Sequence, residues 1–247
     1  RFPAGSIPGS NEPQKENQIS PIFVIGMPRS GTTLVERIIA AHPDVTACGE
    51  QMLMTYLVAS YLRDEAAITA ETWTQVGNLY RKQISGLARG KQRVTDKLPF
   101  NLFNLGAIWK ALPDARVILL RRDPRDIGLS CYQTPFNQGL DFTSDLATIG
   151  QVQNLCDDLC HHWMEIAPER LLQVDYEDIV ADSDAGARRV LQFCGLEWHP
   201  DCDRFYENRS RVGTASFNQV NRPVYSSSVG RCRRYEKHLE PLIEVIR

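Results

Sequence analysis

Apolar residues follow two alternating patterns along the chain. Short stretches rich in aliphatic and β-branched residues lie at 22–25, 93–95, 116–120 and 171–174. Helical spacing of apolar residues covers 32–41, 51–63, 72–87, 101–112, 145–166 and 185–194, begins again near Pro124, and returns after residue 234 to the end. Apolar strands separated by helices are typical of βαβ units, whose parallel strands are buried on both faces. We therefore predict an α/β fold with a central parallel β-sheet flanked by helices on both faces.

The two ends of this pattern differ from its middle. Residues 1–20 are rich in Pro, Gly, Ser, Asn and Glu, which predicts a linker or N-terminal arm ahead of a single domain at 21–247. Residues 209–234 are irregular, polar and basic. The chain begins at Arg1 rather than at a methionine, so a removed leader or a missing upstream domain stays open.

Composition excludes several classes of protein. The 247 residues include 28 Lys and Arg against 30 Asp and Glu, a formal net charge of -2 that does not fit a protein coating nucleic acid. No apolar run approaches the ~20 residues that cross a bilayer, so we expect no membrane span. The seven cysteines are an odd number spread over the chain, which favours reduced thiols and a cytoplasmic location. Cys156 and Cys160 with His161 and His162 lack a second ligand pair at zinc-site spacing, so we predict no metal.

The first candidate site follows the strand predicted at 22–25. Gly26 and Gly31 are separated by four residues and followed by Thr32 and Thr33. A loop of this kind points backbone N–H groups and a helix N-terminus at one place, which suits a phosphate. The spacing matches a Walker A loop except that Thr32 stands where that motif has lysine. We therefore predict a P-loop-like site for a nucleotide with a single 5′-phosphate group, with Arg29 supplying the positive charge; a turn without ligand is the alternative.

The second candidate site follows the strand predicted at 116–120. Arg122 comes at the carboxyl end of this strand, where open α/β sheets bind their ligands. Ser130 lies about two helical turns further on, so the guanidinium and the hydroxyl can converge on a second, terminal phosphate. In the alternative interpretation, Arg122 and its neighbour Arg125 only form ion pairs with nearby aspartates at a solvated helix start.

Together the two motifs resemble the nucleotide signatures of sulfotransferases that use 3′-phosphoadenosine 5′-phosphosulfate (PAPS). The chain is most similar to the branch of protein-tyrosine sulfotransferases and of bacterial sulfotransferases associated with tetratricopeptide repeats. Further matching segments are 41–44, 48–50, 95–99, 174–178 and 216–223. The resemblance implies a sulfotransferase with PAPS as cosubstrate, adenosine 3′,5′-bisphosphate (PAP) as product, and a tyrosyl, carbohydrate or small-molecule hydroxyl group as acceptor.

The resemblance also implies roles for individual residues. The 5′-phosphosulfate would be held by the loop residues Arg29, Ser30, Gly31, Thr32 and Thr33, and the 3′-phosphate by Arg122 and Ser130. Glu50 matches the general base and Lys97 a lysine on the leaving-group side. Tyr176 matches a tyrosine that contacts the nucleotide. In the late loop, Ser216 matches a serine and Arg231 a basic residue. The residues predicted to be catalytic are Glu50, Arg29, Lys97 and Ser216. Physical reasoning supports the set, since sulfuryl transfer needs aligned oxygens, cations and a base.

Several alternatives stay open at this point. Asp96 is a rival base, and Glu50 alone is also explained as a carboxylate favoured near a helix start. A P-loop nucleotide kinase is disfavoured by the missing lysine at Thr32, and a non-catalytic nucleotide-binding module by the presence of the full residue set. Cys48 matches one half of a disulfide of the animal enzymes, but Val94 and Thr95 stand where its partner would lie. An oxidised architecture and a tyrosine acceptor are therefore in doubt.

Overall fold

The computed structural model describes residues 7, 18–61, 68–136, 139–207 and 224–247. Five strands form one sheet: β1 (Ser20–Gly26), β2 (Val45–Ala47), β3 (Arg93–Asp96), β4 (Arg116–Arg121) and β5 (Leu171–Asp175). The helices are α1 (Thr32–Ala40), α2 (Leu53–Tyr61), α3 (Ala70–Ser85), α4 (Leu105–Ala111), α5 (Pro124–Tyr132), α6 (Leu146–Ile166), α7 (Tyr176–Ala181), α8 (Ser183–Phe193) and α9 (Glu240–Ile243). Short 3₁₀-helices connect them, including Pro99–Asn104 and Arg231–His238.

The sheet is parallel throughout, with the strand order β2-β3-β1-β4-β5. Successive residues of the central strand β1 point to opposite faces, so Phe23 and Ile25 join one buried cluster while Ile22 and Val24 join the other. Helices α1 and α8 cover the second face, whereas α3, α4 and α6 cover the first. The predicted α/β architecture, with helices on both faces of a parallel sheet, is confirmed.

The carboxyl ends of four strands meet at one edge of this sheet. The predicted phosphate loop, residues 26–31, follows β1. Lys97 follows β3, Arg122 follows β4, and Tyr176 follows β5. Because all strands run in the same direction, side chains far apart in sequence come together at this edge. The loop after β1 begins with a turn at Gly26, whose φ is 147°. A Cβ atom at this position would lie 2.5 Å from the carbonyl oxygen of Leu120.

Some of the predicted elements need correction. The strand β2 and the short helix α7 were not predicted, and the helix predicted at 101–112 begins as the 3₁₀-helix Pro99–Asn104. The helix predicted from residue 234 to the end is wrong, because the chain forms a 3₁₀-helix to His238 and then only the four residues of α9. Pro241 explains the break, since proline donates no hydrogen bond and its ring clashes with the preceding turn.

The N-terminal region is described only in part. β1 begins at Ser20, and Ile7 is buried against the core. Elsewhere the arm predicted at 1–20 falls mostly outside the described residues, so that boundary stays a prediction. None of the helices in the described part of the chain combines the length and the apolarity that crossing a bilayer requires.

Candidate active site

The loop between β1 and α1 has the geometry of an anion site. Gly31 precedes the helix with φ of 107°, and no side chain caps the first turn, whose N–H groups lack intrahelical acceptors. Arg29 also has a positive φ, 69°, which is uncommon for a residue with a side chain. Tyr176 packs directly on the loop, because a Cβ atom on Gly31 would lie 2.6 Å from its Cδ2 atom. The loop therefore presents an uncapped helix N-terminus beside an aromatic ring.

Hydroxyl groups line the same loop. Ser30 is fully buried, and among the described residues its Oγ atom has no hydrogen-bond partner. Thr32 and Thr33 are each 4% exposed at the start of α1. A buried hydroxyl without a partner is costly, and a bound ligand is one of the few ways to satisfy it. The loop thus has unused hydrogen-bonding capacity that an anionic ligand would satisfy.

Arg29 joins the two sequence motifs. Its Nε atom donates to Ser130 Oγ at 2.9 Å, and its carbonyl oxygen accepts from Arg122 Nη1 at 3.1 Å. Burial lowers the pKa of the Arg29 guanidinium. The residues predicted for the 5′ and 3′ phosphates are therefore brought into one contiguous set of cations and hydroxyls.

Arg122 is held on several sides. Its Nη2 atom donates to the carbonyl oxygen of Ser228 at 2.5 Å and lies 3.7 Å from Asp126, and its guanidinium stacks 4.6 Å from the ring centre of Tyr176. Its Nε atom is buried and has no partner among the described residues. Arg122 has the ion pair that the alternative interpretation expected, but its side chain is only 9% exposed, so the solvated helix start is wrong for this residue.

Arg125 has the geometry expected of a solvated helix start. Its guanidinium makes two hydrogen bonds to Asp123, of 3.0 and 2.7 Å, and its side chain is 42% exposed. The alternative interpretation therefore holds for Arg125, which lies on the first turn of α5, three residues after Arg122.

A buried carboxylate holds the late loop against α5. Asp126 accepts hydrogen bonds from the backbone N–H of Gly230 at 2.7 Å and of Cys232 at 2.8 Å. Arg231 itself is exposed and donates to Gln133, one turn beyond Ser130, so it lies at the rim of the site. Ser216 lies outside the described residues. The sequence predicts neither the burial of Asp126 nor its hydrogen-bond partners, because Gly230 and Cys232 are about a hundred positions away.

Lys97 and Glu50 form an ion pair on the other side of the phosphate loop. The Lys97 side chain is 1% exposed, whereas that of Glu50 is 42% exposed. The backbone pairs as well, since Lys97 N–H donates to the carbonyl oxygen of Gly49 at 2.9 Å. A carboxylate at the surface and an ammonium beneath it suit a general base on the acceptor side, with a cation close to the reacting groups.

Glu36 is a site residue that the sequence does not reveal. It lies on α1, is fully buried, and accepts hydrogen bonds from Gly49 N–H at 3.1 Å and Thr95 Oγ1 at 2.9 Å. Burial raises the pKa of its carboxyl group. These bonds fix the backbone directly before Glu50. In the sequence, Glu36 and Arg37 lie side by side with two apolar residues before them and two after, a pattern that predicts a solvent-exposed side of the helix. In the structure both residues are buried.

Asp96, the rival base, is enclosed. It accepts a hydrogen bond from the Tyr80 hydroxyl at 2.9 Å and another from Asn101 Nδ2 at 3.3 Å, and none of its surface is exposed. Burial raises the pKa of Asp96 to about 8. A carboxyl group without exposed surface cannot meet an acceptor hydroxyl, so the geometry favours Glu50 over Asp96 as the base.

The cysteines carry no disulfide. All seven are free thiols, and burial raises the pKa of Cys48 to about 12, so this thiol is inert at neutral pH. Within the described ranges, His, Cys, Asp and Glu side chains form no group of three suited to a metal ion.

Comparisons with known proteins concern the family and the fold of the chain. The model of the sulfotransferase family matches residues 21–200. An uncharacterised protein of Aquifex aeolicus is 33% identical over 96% of the chain, and protein-tyrosine sulfotransferase 1 of Danio rerio is 27% identical over 81%. The chain covers 33% of the length of the first protein and 60% of the second.

Solved structures show the same fold. The sulfotransferase domain of the Synechococcus PCC 7002 olefin synthase superposes with a TM-score of 0.66 at 19% identity, covering 92% of this chain and 91% of that one. Mouse sulfotransferase SULT7A1, solved in complex with PAP, gives a TM-score of 0.55 at 15% identity, covering 90% of this chain and 84% of that one.

Proposed function

The chain belongs to the sulfotransferase family, and we propose that it transfers a sulfuryl group from PAPS to a hydroxyl group of an acceptor. The observation that carries this proposal is the contact of Arg29 with both Ser130 and Arg122 beside the unpartnered hydroxyl of Ser30. PAP in the mouse relative of the same fold is consistent with it. The free thiols also favour a reducing, cytoplasmic location.

The residues present fit a nucleotide with phosphates at two positions. The loop from Arg29 to Thr33 would hold the 5′-phosphosulfate through backbone N–H groups and hydroxyls. Arg122 and Ser130 would hold the 3′-phosphate, which would accept a hydrogen bond from the unpartnered Arg122 Nε atom. Arg231 and Ser216 would add contacts from the late loop. Tyr176 would contact the nucleotide, since its ring already lies against Gly31 and Arg122.

The chemistry proposed is a single in-line displacement. The acceptor hydroxyl oxygen forms a bond to sulfur while the bond from sulfur to the bridging oxygen of the phosphosulfate breaks, and PAP leaves with that electron pair. Glu50 takes the hydroxyl proton. Arg29 and Lys97 offset the negative charge that grows on the departing oxygen, which is where fixed cations accelerate such reactions most. Glu36 acts indirectly by holding Gly49 and thus the position of Glu50.

The experiment that tests this function compares nucleotides by calorimetry. We expect PAP to bind much more tightly than ATP with Mg²⁺, because the loop lacks the Walker lysine and Arg122 adds a site for a second phosphate. Arg122→Ala should weaken PAP binding by about 1.5–3 kcal/mol, the range for hydrogen bonds to charged groups. It should scarcely change the binding of AMP, which has no 3′-phosphate.

Arg125→Ala is the matched control. It removes a guanidinium only three residues from Arg122, on the first turn of α5, but one that pairs with Asp123, so PAP affinity should stay near wild type. Tighter binding of ATP with Mg²⁺ than of PAP would reject the sulfotransferase function. Equal losses for PAP and AMP in Arg122→Ala would show that Arg122 supports the fold and does not bind the 3′-phosphate.

A further inference from the structure

Large apolar side chains are exposed on the two segments that follow Glu50 and Lys97 in the chain. Met52 is 44% exposed, Tyr56 65% and Phe103 45%. Phe100 packs against Phe103 with ring centres 5.4 Å apart and against Phe142 at 5.9 Å. We call these five side chains the acceptor face, namely Met52, Tyr56, Phe100, Phe103 and Phe142. Single exposed apolar residues are ordinary, but a contiguous group marks a binding surface.

The acceptor face is continuous with the catalytic pair. Met52 follows Glu50 by two residues and leads into α2, and the 3₁₀-helix Pro99–Asn104 begins two residues after Lys97. The two segments are joined directly, since Asn104 Nδ2 donates to Thr55 Oγ1 at 3.2 Å. Met52, Thr55 and Tyr56 share one side of the chain because helical neighbours are three and four residues apart.

The segments that carry the acceptor face contribute no cation. Neither α2 nor the 3₁₀-helix Pro99–Asn104 contains Asp, Glu, Lys or Arg. Phe142 lies in the 3₁₀-helix Asp141–Ser144, which adds one anion, Asp141, and no cation. Glu50 and Lys97, which precede the other two segments, are paired with each other. A strongly anionic acceptor would therefore meet the carboxylate of Glu50 without a free cation from either segment, whereas an uncharged apolar body would cover exposed rings and release water.

We propose that the acceptor is an uncharged phenol or hydrophobic alcohol, whose apolar body packs on the acceptor face with its hydroxyl group against Glu50. This inference rests on the proposed sulfotransferase function and specifies its substrate class. Phe103 and Tyr56 provide the contact area, and the Thr55–Asn104 pair fixes the spacing between α2 and the 3₁₀-helix. The resulting preference runs against sugars and acidic peptides, which offer little apolar surface to cover these rings.

The test uses turnover of radiolabelled PAPS with 2-naphthol, N-acetylglucosamine and an acidic tyrosyl peptide. We expect the highest kcat/KM for 2-naphthol. Phe103→Ala and Tyr56→Ala should each raise the KM for 2-naphthol about tenfold, which corresponds to ~1.4 kcal/mol of lost contact, and leave kcat within about twofold. PAP affinity by calorimetry should not change. Leu87→Ala removes an equally exposed apolar side chain outside the acceptor face and should change neither KM nor kcat.

The outcomes separate this inference from the proposed function. Failure of the wild-type chain to bind PAP would reject both. Normal PAP binding with a higher kcat/KM for the sugar or the peptide would overturn the acceptor class and leave the sulfotransferase function standing. Light scattering of wild type and Phe103→Asp tests whether a second copy of the chain binds the acceptor face instead. If wild type is a dimer, Phe103→Asp is a monomer and KM is unchanged in Phe103→Ala, the face is a self-association surface and the inference is overturned.

Discussion

Replacing Glu50 by glutamine separates the base from the rest of the site. Glutamine keeps the size of the side chain and one carbonyl oxygen that can accept from Lys97, but it cannot take a proton at neutral pH. The exchange also removes the negative charge paired with the buried Lys97 ammonium. Two independent effects follow, one on turnover and one on folding stability.

The structure gives a magnitude to each effect. Loss of a general base should lower kcat by about 10²–10⁴. Breaking a fully buried ion pair costs about 3–5 kcal/mol of stability, whereas an exposed pair contributes about 1 kcal/mol or less. The cost for Lys97 and Glu50 should lie between these limits, because the first side chain is 1% and the second 42% exposed. We expect the free energy of unfolding to fall by ~2 kcal/mol. In a domain of this size that lowers Tm by about 4–8 °C.

The assay measures kcat at saturating PAPS and acceptor, with PAP affinity by calorimetry and Tm by thermal unfolding. PAP affinity in Glu50→Gln should be retained or increased, because Lys97 loses its carboxylate partner and its charge becomes available to the nucleotide. Asp96→Asn is the matched control. It also exchanges a carboxyl group for an amide in the same region, but at a side chain with no exposed surface, so kcat should fall far less.

Two results would refute this reasoning. Near-normal kcat in Glu50→Gln together with an inactive Asp96→Asn would move the base to Asp96 and leave the family assignment unchanged. Failure of Glu50→Gln to fold would show that the carboxylate serves the ion pair with Lys97 before it serves catalysis. In that case Glu50→Asp, which keeps the charge, should restore folding and allow kcat to be measured.

Two further predictions concern the loop and the buried carboxyl group. Gly31→Ala should lower both Tm and PAP affinity, because φ is 107° and the new Cβ would lie 2.6 Å from Tyr176. Gly90→Ala is the control: φ is 80° but the space around it is open, so Tm should fall slightly and PAP affinity should stay unchanged. Stability should also decline as pH rises from about 4 to about 8, because the folded chain holds the Asp96 proton up to a pKa of about 8 while the unfolded chain loses it near 3.8. Asp96→Asn should flatten this decline in urea unfolding between pH 6 and 9, and an identical slope in both proteins would contradict the raised pKa.

The sequence by itself determined the fold class and the position of the glycine-containing loop between β1 and α1. The strands at β1 and β4 are short apolar stretches that only a sheet covered on both faces buries, and this pattern is local. Gly26 and Gly31 were visible for the same reason, since the positive φ values of a tight loop select glycine at defined spacing. Arg122 could be assigned to the ligand edge because its position follows directly from the end of a parallel strand.

Only the tertiary structure decided how these residues meet. Arg29 and Ser130 are 101 residues apart, and Arg122 and the Ser228 carbonyl 106 apart, so no spacing rule predicts either hydrogen bond. The roles of Glu36 and Asp96 depend on burial, which arises when α1 and α3 pack on opposite faces of the sheet. There each carboxyl group accepts hydrogen bonds from polar neighbours, Gly49 for Glu36 and Tyr80 for Asp96. Hydrophobic periodicity records which side of one element faces the core, but hydrogen bonds and pKa values depend on what another element brings to that side.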